Sequence, residues 1–234
     1  MKKNKILISA VLLFVHYNNY GILSEQLLIN HIKNSIEKAQ KGVSKLNSDI
    51  LTIPGMSSHK VRHFLNNLCS LENAHYLEIG VWQGSTFISA LHQNTDTLAS
   101  AIAIDNWSEF NGPKNNFLSN TAKFLPKKTF LFVDHDCFTV DTQVFSNKVD
   151  IYFYDGNHST ESQKNAFIYF NDILADTFIT VVDDWNAPEA PQGTKEAFKQ
   201  LNYEVVYEVA LPARFNGDTE NWWNGLYVAL IRKK

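Results

Sequence analysis

The chain has 234 residues, of which 44% are hydrophobic and 19% charged, so it is long enough for one sizeable core and too apolar to be disordered. Its net charge of −3, with scattered lysines and arginines, offers no basic surface to a nucleic-acid partner. The two cysteines, Cys69 and Cys137, lie far apart in apolar surroundings, which argues against a disulfide framework or a zinc site and indicates reduced, buried thiols.

The first 23 residues have the pattern of a targeting segment. Three lysines at positions 2, 3 and 5 precede an apolar run of ten residues, Ile6 to Val15. This run is shorter than the roughly 20 residues of a membrane-spanning helix. Residues 16–23 contain no small-x-small cleavage site. Two interpretations stay open: a targeting or membrane-associating segment, or an apolar element that packs on the rest of the chain.

Residues 24–50 are predicted to form one amphipathic helix. Its apolar residues recur at spacings of three and four, at Ile32, Ile36, Ala39, Val43, Leu46 and Ile50. The seam spans fewer than three heptads, so we expect it to pack on the rest of the chain rather than on a second copy in a dimer. Pro54-Gly55 ends the segment. Ser57 and Ser58 then cap a helix that carries Val61, Phe64, Leu65 and Leu68.

The stretch from His75 to Leu91 predicts a strand that turns directly into a helix, through the sequence E-I-G-V-W-Q-G-S-T. Gly80 can adopt backbone angles closed to other residues, and Gly84 leaves no side chain between the backbone and a ligand. Ser85 or Thr86 is placed to cap the helix. The spacing G-x-x-x-G is not the dinucleotide fingerprint G-x-G-x-x-G. The turn is therefore either a ligand cradle at the carboxyl end of a strand or a purely structural connection.

After this stretch, strand and helix patterns alternate. We predict strands at residues 98–104, 130–133, 151–154 and 178–182, and helices at 114–124, 140–147 and 160–175. The last two apolar runs, residues 203–211 and 222–231, are too close for a helical crossover and are predicted to pair as an antiparallel hairpin. The expected fold is α/β: a Rossmann-like, doubly wound, mostly parallel seven-stranded sheet with a C-terminal antiparallel hairpin and an N-terminal helical extension. We assign residues 1–54 to this extension and residues 55–234 to one main domain.

Acidic side chains recur at or near the carboxyl ends of the predicted strands. In open α/β sheets this edge binds ligands, although a single Asp after a strand is commonly a turn former or a helix cap. Asp105, which lies 25 residues beyond Gly80, is placed to accept hydrogen bonds from ribose hydroxyls. The residues of this kind are Glu78, Asp105, Asp134, Asp136, Asp155, Asp183 and Asp184.

The order E-x-G-x-x-x-G-(S/T), an Asp that ends the second strand, and D-x-F after the third strand resembles the cofactor site of the class I S-adenosylmethionine (SAM) methyltransferases. This resemblance implies that SAM is the cofactor and that the loop after the third strand lies near the adenine. Trp107 is either a wall of this site or ordinary packing. The cofactor-binding residues that we predict are Glu78, Gly80, Gly84, Ser85, Asp105, Asn106, Trp107, Asp136, Cys137, Phe138 and Asp155.

Asp155-Gly156-Asn157-His158 and Asp183-Asp184 form a second group. One helix and one strand separate them, so adjacent parallel strands would bring the three carboxylates together. Carboxylates so close repel unless a cation or a proton joins them, and hard oxygen ligands suit Mg²⁺ or another hard divalent cation. His158 is a candidate general base beside such a site, although an isolated His is commonly a helix cap or a surface residue.

D-G-x-H after the fourth strand and an acidic pair after the fifth resemble the metal-dependent O-methyltransferases, among them the macrocin-type sugar enzymes and the cephalosporin-biosynthesis group. The resemblance covers residues 74–232 and implies that Asp155, Asp183 and Asp184 are metal ligands and that His158 is the base. Relatives often carry Glu-Asp or Asp-Asn where this chain has Asp-Asp, and the shorter acid reaches less far.

We therefore predict a SAM-dependent methyltransferase, with metal-assisted O-methylation of a hydroxyl on a sugar or another small molecule. The alternatives are a metal-free methyltransferase and a SAM-binding module without turnover that acts through its N-terminal helix. We expect a small-molecule acceptor and no nucleic acid as partners, and homo-oligomerisation through the N-terminal helix stays open. Since SAM is made in the cytosol, the resemblance implies a cytoplasmic protein that retains residues 1–23; export or membrane association through them is the alternative.

Overall fold

The computed structural model describes residues 25–125 and 130–234 and confirms the predicted fold class. Its strands are β1 (His75–Ile79), β2 (Ser100–Asp105), β3 (Leu131–Asp134), β4 (Val149–Tyr154), β5 (Leu174–Val182), β6 (Glu204–Leu211) and β7 (Leu226–Arg232). They form one seven-stranded sheet with the order β3-β2-β1-β4-β5-β7-β6. Neighbouring strands from β1 to β5 are parallel, and β7 is antiparallel to both β5 and β6.

Helices cover both faces of this sheet. Within the described ranges they are α1 (25–40), α2 (Ser48–Leu51), α3 (His59–Leu68), α4 (Ser85–Leu91), α5 (Lys114–Phe124), α6 (Thr160–Phe170) and α7 (Glu189–Gln200). Successive residues of β1 point to opposite faces, so Tyr76 packs in the core with α3 and α4 while Leu77 packs in the core with α6 and α7. Burial on both faces explains why most residues of the inner strands are apolar.

The prediction of a single helix over residues 24–50 is wrong, because α1 ends early and a turn separates it from the short α2. Gly42 has a φ of +66°, a left-handed conformation that favours glycine. Its N–H donates to Ala39 O (3.0 Å), and Val43 N–H donates to Lys38 O (2.9 Å), which is the bonding pattern of a Schellman helix end. Val43 of the predicted seam is consequently 52% exposed.

The seam residues of α1 pack within the chain, as expected. Ile32, Ile36 and Ala39 are buried in the same core as β1, and Ile50 of α2 joins them. No helix among the described residues is long and apolar enough to cross a membrane. Residues 1–24, with their apolar run, lie outside the described ranges. Retention of residues 1–23, the cytoplasmic location and the domain boundary at residue 54 therefore stay predictions.

The helices around α6 differ from the prediction at their ends. Residues 140–147 form no α-helix; two 3₁₀ turns, Cys137–Thr139 and Thr142–Val144, fill this part of the connection. The helix predicted over 160–175 ends at Phe170, and a 3₁₀ turn leads from there into β5.

Helix α7 was missing from the predicted elements, since its sequence contains Pro191 and Gly193, two residues typical of turns. The structure gives Gly193 a packing role instead. A Cβ at this position would lie 2.3 Å from Thr160 O and 2.7 Å from Gln163 Cβ, both in α6. The missing side chain thus lets α6 and α7 approach closely on one face of the sheet.

The C-terminal hairpin of β6 and β7 is confirmed, but its second strand begins at Leu226 and not at Trp222. The residues between the strands, 212–225, form a long loop. Because β7 is antiparallel to both β5 and β6, β6 runs in the same direction as β5. The loop after β6 therefore leaves the sheet at the same edge as the carboxyl end of β5. Its last residues therefore reach the edge where the predicted acidic side chains lie.

Candidate active site

A cavity of about 620 Å³ opens at the carboxyl ends of the parallel strands. This is the edge of an open α/β sheet where ligands bind. The strand ladder continues past the strand ends: Gly80 N–H donates to Ile104 O, Asp155 N–H to Ile79 O and Asp183 N–H to Tyr154 O. These bonds hold the connecting turns side by side. The lining comes from Met56 and from residues 79–82, 85–86, 104–110, 135–138, 154–158, 162, 183–184 and 223–224.

The turn after β1 needs both of its glycines, for different reasons. Gly80 has a φ of +87°, and a Cβ there would lie 1.9 Å from the backbone oxygen of Asp155. Gly84 has a φ of +86° and is the N-cap of α4, so the predicted capping by Ser85 or Thr86 is wrong. A Cβ at Gly84 would face Phe117 at 3.0 Å, and Gly84 does not line the cavity.

Glu78 lies beneath this turn and does not line the cavity. It is fully buried and accepts hydrogen bonds from the Tyr76 hydroxyl and the Thr86 hydroxyl, both at 2.5 Å. Burial raises the pKa of its carboxyl group to about 8, so this group holds a proton at neutral pH. Thr86, which does not cap its helix, instead ties α4 to β1 through Glu78.

Asp105 ends β2 and lines the cavity, as predicted for a residue that holds ribose hydroxyls. Its Oδ2 accepts from Trp82 N–H (2.8 Å) and its Oδ1 from Trp107 N–H (2.7 Å). Desolvation raises the pKa of this carboxyl group, and the backbone hydrogen bonds oppose the rise. A carboxylate has about four acceptor sites, so these two bonds leave capacity for ligand hydroxyls. Asn106 also lines the cavity, but its side-chain oxygen closes a turn by accepting from Ser108 N–H (3.1 Å).

Trp107 borders the cavity but acts mainly as packing. It is only 8% exposed, and its ring lies against Phe117 and Phe132 at centroid distances of 5.5 and 5.2 Å. Its indole N–H donates to Trp82 O (2.9 Å). Together with Asp105, this bond fixes the backbone of the turn after β1 against the loop after β2.

The predicted adenine loop also lines the cavity. Asp136 caps a 3₁₀ turn, with its Oδ1 accepting from Phe138 N–H (2.8 Å), and the Phe138 ring contacts Tyr169 edge to face. Burial raises the pKa of the Cys137 thiol to about 12, so this thiol stays protonated. Cys69 is fully buried in the core, as predicted, whereas Cys137 is only partly buried.

Asp155, His158 and Asp183 come together at the ends of β4 and β5. One potential ligand atom from each lies within 4.8 Å of the others, and His158 Nε2 is 3.6 Å from Asp155 Oδ1. Burial, together with repulsion between neighbouring carboxylates, raises the pKa of both Asp155 and Asp183 well above the usual range. The two carboxylates therefore favour a shared proton or a bound cation.

Asp184 takes a different position from the one predicted for a third ligand. It has a φ of +56°, and its Oδ2 lies 3.5 Å from His158 Nε2. Its Oδ1 accepts a hydrogen bond of 2.6 Å from the side-chain amide of Asn224. The structure thus places His158 between Asp155 and Asp184 and brings His158, rather than Asp184, into the group of three potential ligands.

The loop of residues 212–225 contributes Trp223 and Asn224 to the cavity, and neither is among the residues predicted for the site. The buried Asp218 organises this loop by accepting from Arg214 Nε and Nη2, each at 2.9 Å. The Arg214 guanidinium holds the pKa of Asp218 well below its usual range. No local sequence pattern signals this arrangement, since its contacts depend on how the loop folds back on itself.

The same loop docks on α3, whose predicted cap at Ser58 is confirmed. Ser58 Oγ donates to Asn221 O, and Lys60 Nζ donates to Asn221 Oδ1 (2.9 Å). Trp222 is buried against Phe64, so it is a core residue rather than a stacking surface for a ligand. Trp223 lines the cavity, whereas Trp185 stacks on Tyr227.

We expect Gly80→Ala to lower the free energy of unfolding by about 4 kcal/mol or more, because the Cβ would force β1 and β4 apart. The clash is with the backbone of Asp155 and not with the space of a ligand. Gly42→Ala is the matched control, since Gly42 also has a positive φ but nothing within 4 Å of its Cβ position. That change should cost about 1–3 kcal/mol. Urea unfolding followed by circular dichroism measures both, and equal losses would contradict the packing role of Gly80.

Comparison with known proteins places the site in a family context. Residues 77–185 match the model of a family described as a methyltransferase domain. No curated protein sequence matches the chain. Among the solved structures similar in fold is an O-methyltransferase of tomaymycin synthesis from Streptomyces achromogenes with SAM (18% identity, 85% of this chain and 89% of that chain covered, TM-score 0.56). Another is an O-methyltransferase from Bacillus cereus with S-adenosylhomocysteine, SAH (12% identity, 85% of this chain and 91% of that chain covered, TM-score 0.56). A third is an SAH-bound methyltransferase from Podospora anserina (13% identity, 87% of this chain and 88% of that chain covered, TM-score 0.54).

Proposed function

We propose that this chain, whose residues 77–185 match a methyltransferase domain, is a SAM-dependent methyltransferase that modifies a hydroxyl of a sugar or another small molecule with the help of a divalent cation. One observation carries the proposal. A single cavity joins a half suited to a nucleoside, at Asp105, with a carboxylate–imidazole cluster at Asp155, His158 and Asp183. A methyl donor bound in the first half would face an acceptor held in the second.

The cofactor half supports the proposal through the fixed backbone around Asp105. Two backbone amides hold its carboxylate at the cavity, where its free acceptor sites suit the ribose hydroxyls of SAM. Asp136 to Phe138 line the same cavity and are the residues that we expect near the adenine of SAM. When bound, SAM supplies a methyl group on a sulfonium centre, which is electrophilic without further activation.

The acid cluster fits a hard divalent cation such as Mg²⁺. Asp155 and Asp183 provide carboxylate oxygens that repel each other when both are ionised, and a cation relieves this repulsion. In this proposal Asp155 and Asp183 hold the ion, and Asp184, fixed by Asn224, would stabilise the imidazolium that forms when His158 takes a proton. A cation at this point would lower the pKa of an acceptor hydroxyl beside it.

His158 is placed to take the proton of that hydroxyl. Its Nδ1 lies 3.1 Å from the side-chain amide nitrogen of the fully buried Gln163. Gln163 Oε1 has no hydrogen-bond partner among the described residues. Rotating the Gln163 side-chain amide by 180° lets its Oε1 accept a hydrogen bond from Nδ1–H of His158. In this tautomer the Nε2 of His158 carries no proton, and its lone pair is free on the side of the cavity. We assign this tautomer to the active enzyme.

The charge of the cavity supports a small acceptor without phosphate groups. Its described lining contains no lysine or arginine, whereas six acids would repel an anionic acceptor: Asp105, Glu109, Asp136, Asp155, Asp183 and Asp184. The same charge supports the exclusion of nucleic acids. Met56, Trp82, Phe110 and Trp223 add apolar surfaces against which a sugar ring or an aromatic ring can pack.

A metal-free methyltransferase is the second candidate, and one contact favours it. His158 Nε2 lies between Asp155 Oδ1 (3.6 Å) and Asp184 Oδ2 (3.5 Å), so a protonated imidazole can offset the negative charge without a cation. A binding module that acts through its N-terminal helix has less support, because Ile32, Ile36 and Ala39 are buried in the core of their own chain. Homo-oligomerisation through this helix stays a prediction.

The cofactor proposal is tested by calorimetric titration with SAH. The wild-type protein is expected to bind SAH, and Asp105→Ala should weaken binding by about 10- to 100-fold, the usual value of hydrogen bonds to a charged group. Asp134→Ala is the matched control, since Asp134 is paired with Asp105 at the end of the neighbouring strand but does not line the cavity. No binding by the wild-type protein, or equal binding by Asp105→Ala, would contradict the cofactor assignment.

A further inference from the structure

Arg62 of α3 is a buried cation next to the cavity. It is only 3% exposed. Its Nε donates to Ser57 Oγ (3.0 Å), and its Nη1 donates to Ile53 O (2.8 Å) and to Leu51 O (3.0 Å). All three acceptors are neutral, so these bonds satisfy part of the guanidinium without offsetting its charge.

No acidic residue of the described chain lies within ion-pair distance of Arg62. Desolvation alone lowers its pKa to about 10, and the group remains charged at neutral pH. A buried charge without an opposite charge is costly, and natural proteins pair such groups or present them to a ligand. The guanidinium is therefore a candidate site for an anion.

The Nη2 end of Arg62 lies close to Ser85, which lines the cavity, although Arg62 itself is not part of the described lining. A Cβ at Gly55 would lie 1.8 Å from Ser85 Oγ and 2.8 Å from Arg62 Nη2, so these two groups meet at the same glycine. Neither Arg62 Nη2 nor Ser85 Oγ makes a hydrogen bond within the described residues. Ser85 and Met56 line the cavity directly in front of this point. An anion at Ser85 would thus meet a hydroxyl with a positive charge behind it.

We propose that Ser85 and Arg62 form the subsite for the α-carboxylate of the methionine moiety of SAM. This inference rests on the proposed function. The carboxylate end of SAM needs a positive environment, whereas the described lining contains six acidic side chains and no lysine or arginine. Arg62 is fixed by its three neutral acceptors before the ligand arrives, so little side-chain order has to be gained on binding.

The test compares ligands with and without the carboxylate by calorimetry on the full chain. The probes are SAH, SAH with its carboxylate converted to an amide, and 5′-methylthioadenosine, which lacks the amino-acid end. The wild-type protein should bind the amide about 10- to 100-fold more weakly than SAH. Arg62→Met should weaken SAH by a similar factor and leave 5′-methylthioadenosine within about twofold, while Arg62→Lys, which keeps the charge, should recover part of the SAH affinity.

Asn66→Ala is the matched control for a structural effect. Asn66 is also buried in α3 and donates to Ser89 O and His92 O, away from the cavity. This variant should be less stable yet keep the wild-type ratio of SAH to 5′-methylthioadenosine affinity.

If Arg62→Met weakens all ligands equally, or if wild-type protein binds SAH and its amide equally well, the subsite is wrong while the cofactor assignment stands. If wild-type protein binds no SAH, the subsite and the cofactor assignment are both wrong. The wild-type comparison decides the matter even if Arg62→Met does not fold.

Discussion

Asp183→Asn is expected to slow turnover by about a thousandfold or more, while SAH affinity changes by no more than about threefold. Asp183 is 5% exposed and lies in the cluster with Asp155 and His158. Its amide replacement keeps the shape of the side chain but removes one of the two charges that attract a cation. The cofactor half of the cavity is built on other turns and should be unaffected. Turnover on a panel of hydroxylated sugars, with and without Mg²⁺, measures the effect.

Asp176→Asn is the control for this change, since Asp176 lies on the same strand, β5, but is exposed and distant from the cavity lining. It should retain wild-type turnover. Chelation of divalent ions should remove the activity of the wild-type protein, and added Mg²⁺ should restore it. Full turnover in chelator would reject the cation and favour the metal-free enzyme, in which His158 offsets the charge of its neighbours.

The same cluster predicts how the effect of the cation depends on pH. Because burial raises the pKa of Asp155 and Asp183, the folded protein without a cation keeps protons on these groups that the unfolded chain has lost. The free energy of unfolding therefore falls as pH rises from the usual Asp range through the raised values. A cation must displace those protons, so its stabilising effect should increase across the same window. Thermal unfolding with and without Mg²⁺ at several pH values measures this, and a gain independent of pH would contradict it.

The sheet could be predicted from the sequence because its inner strands are buried on both faces. Tyr76 and Leu77 belong to cores on opposite faces, so the strand is a mostly apolar run that a local pattern detects. The acids at the strand ends then follow from topology, since parallel strands end at one edge. This rule brings Asp105, Asp155 and Asp183 to one cavity without any knowledge of their contacts.

The features that were missed depend on contacts between distant residues. Gly42 and Gly193 are both glycines, yet Gly42 ends a helix in a left-handed conformation and Gly193 lies inside a helix that packs closely on a neighbouring one. Asn224 reaches Asp184 through a loop whose shape depends on Asp218. Arg62 looks in sequence like the charged face of an amphipathic helix, and only the structure buries it. Helical and strand periodicity carries no information of this kind.

His158→Ala is expected to slow turnover by about 100- to 10,000-fold, the usual contribution of a positioned general base, and to leave the affinities for SAH and Mg²⁺ unchanged. Nδ1 of His158 contacts Gln163, which orients the ring, and Nε2 lies beside Asp155 and Asp184, whose charges would stabilise the imidazolium. Steady-state rates, with calorimetry for both ligands, measure these effects.

His135→Ala separates the base from a general effect of removing an imidazole from the cavity. His135 also lines the cavity but lies after β3, on the cofactor side, outside the cluster with Asp155 and Asp183. It should keep turnover within about threefold of wild type. If His158→Ala instead loses Mg²⁺ affinity, His158 is the third ligand that the geometry allows, and the proton must leave by another route. A His158→Ala enzyme as fast as wild type would exclude His158 both as a metal ligand and as the general base, because the loss of either role would slow methyl transfer to the acceptor oxygen.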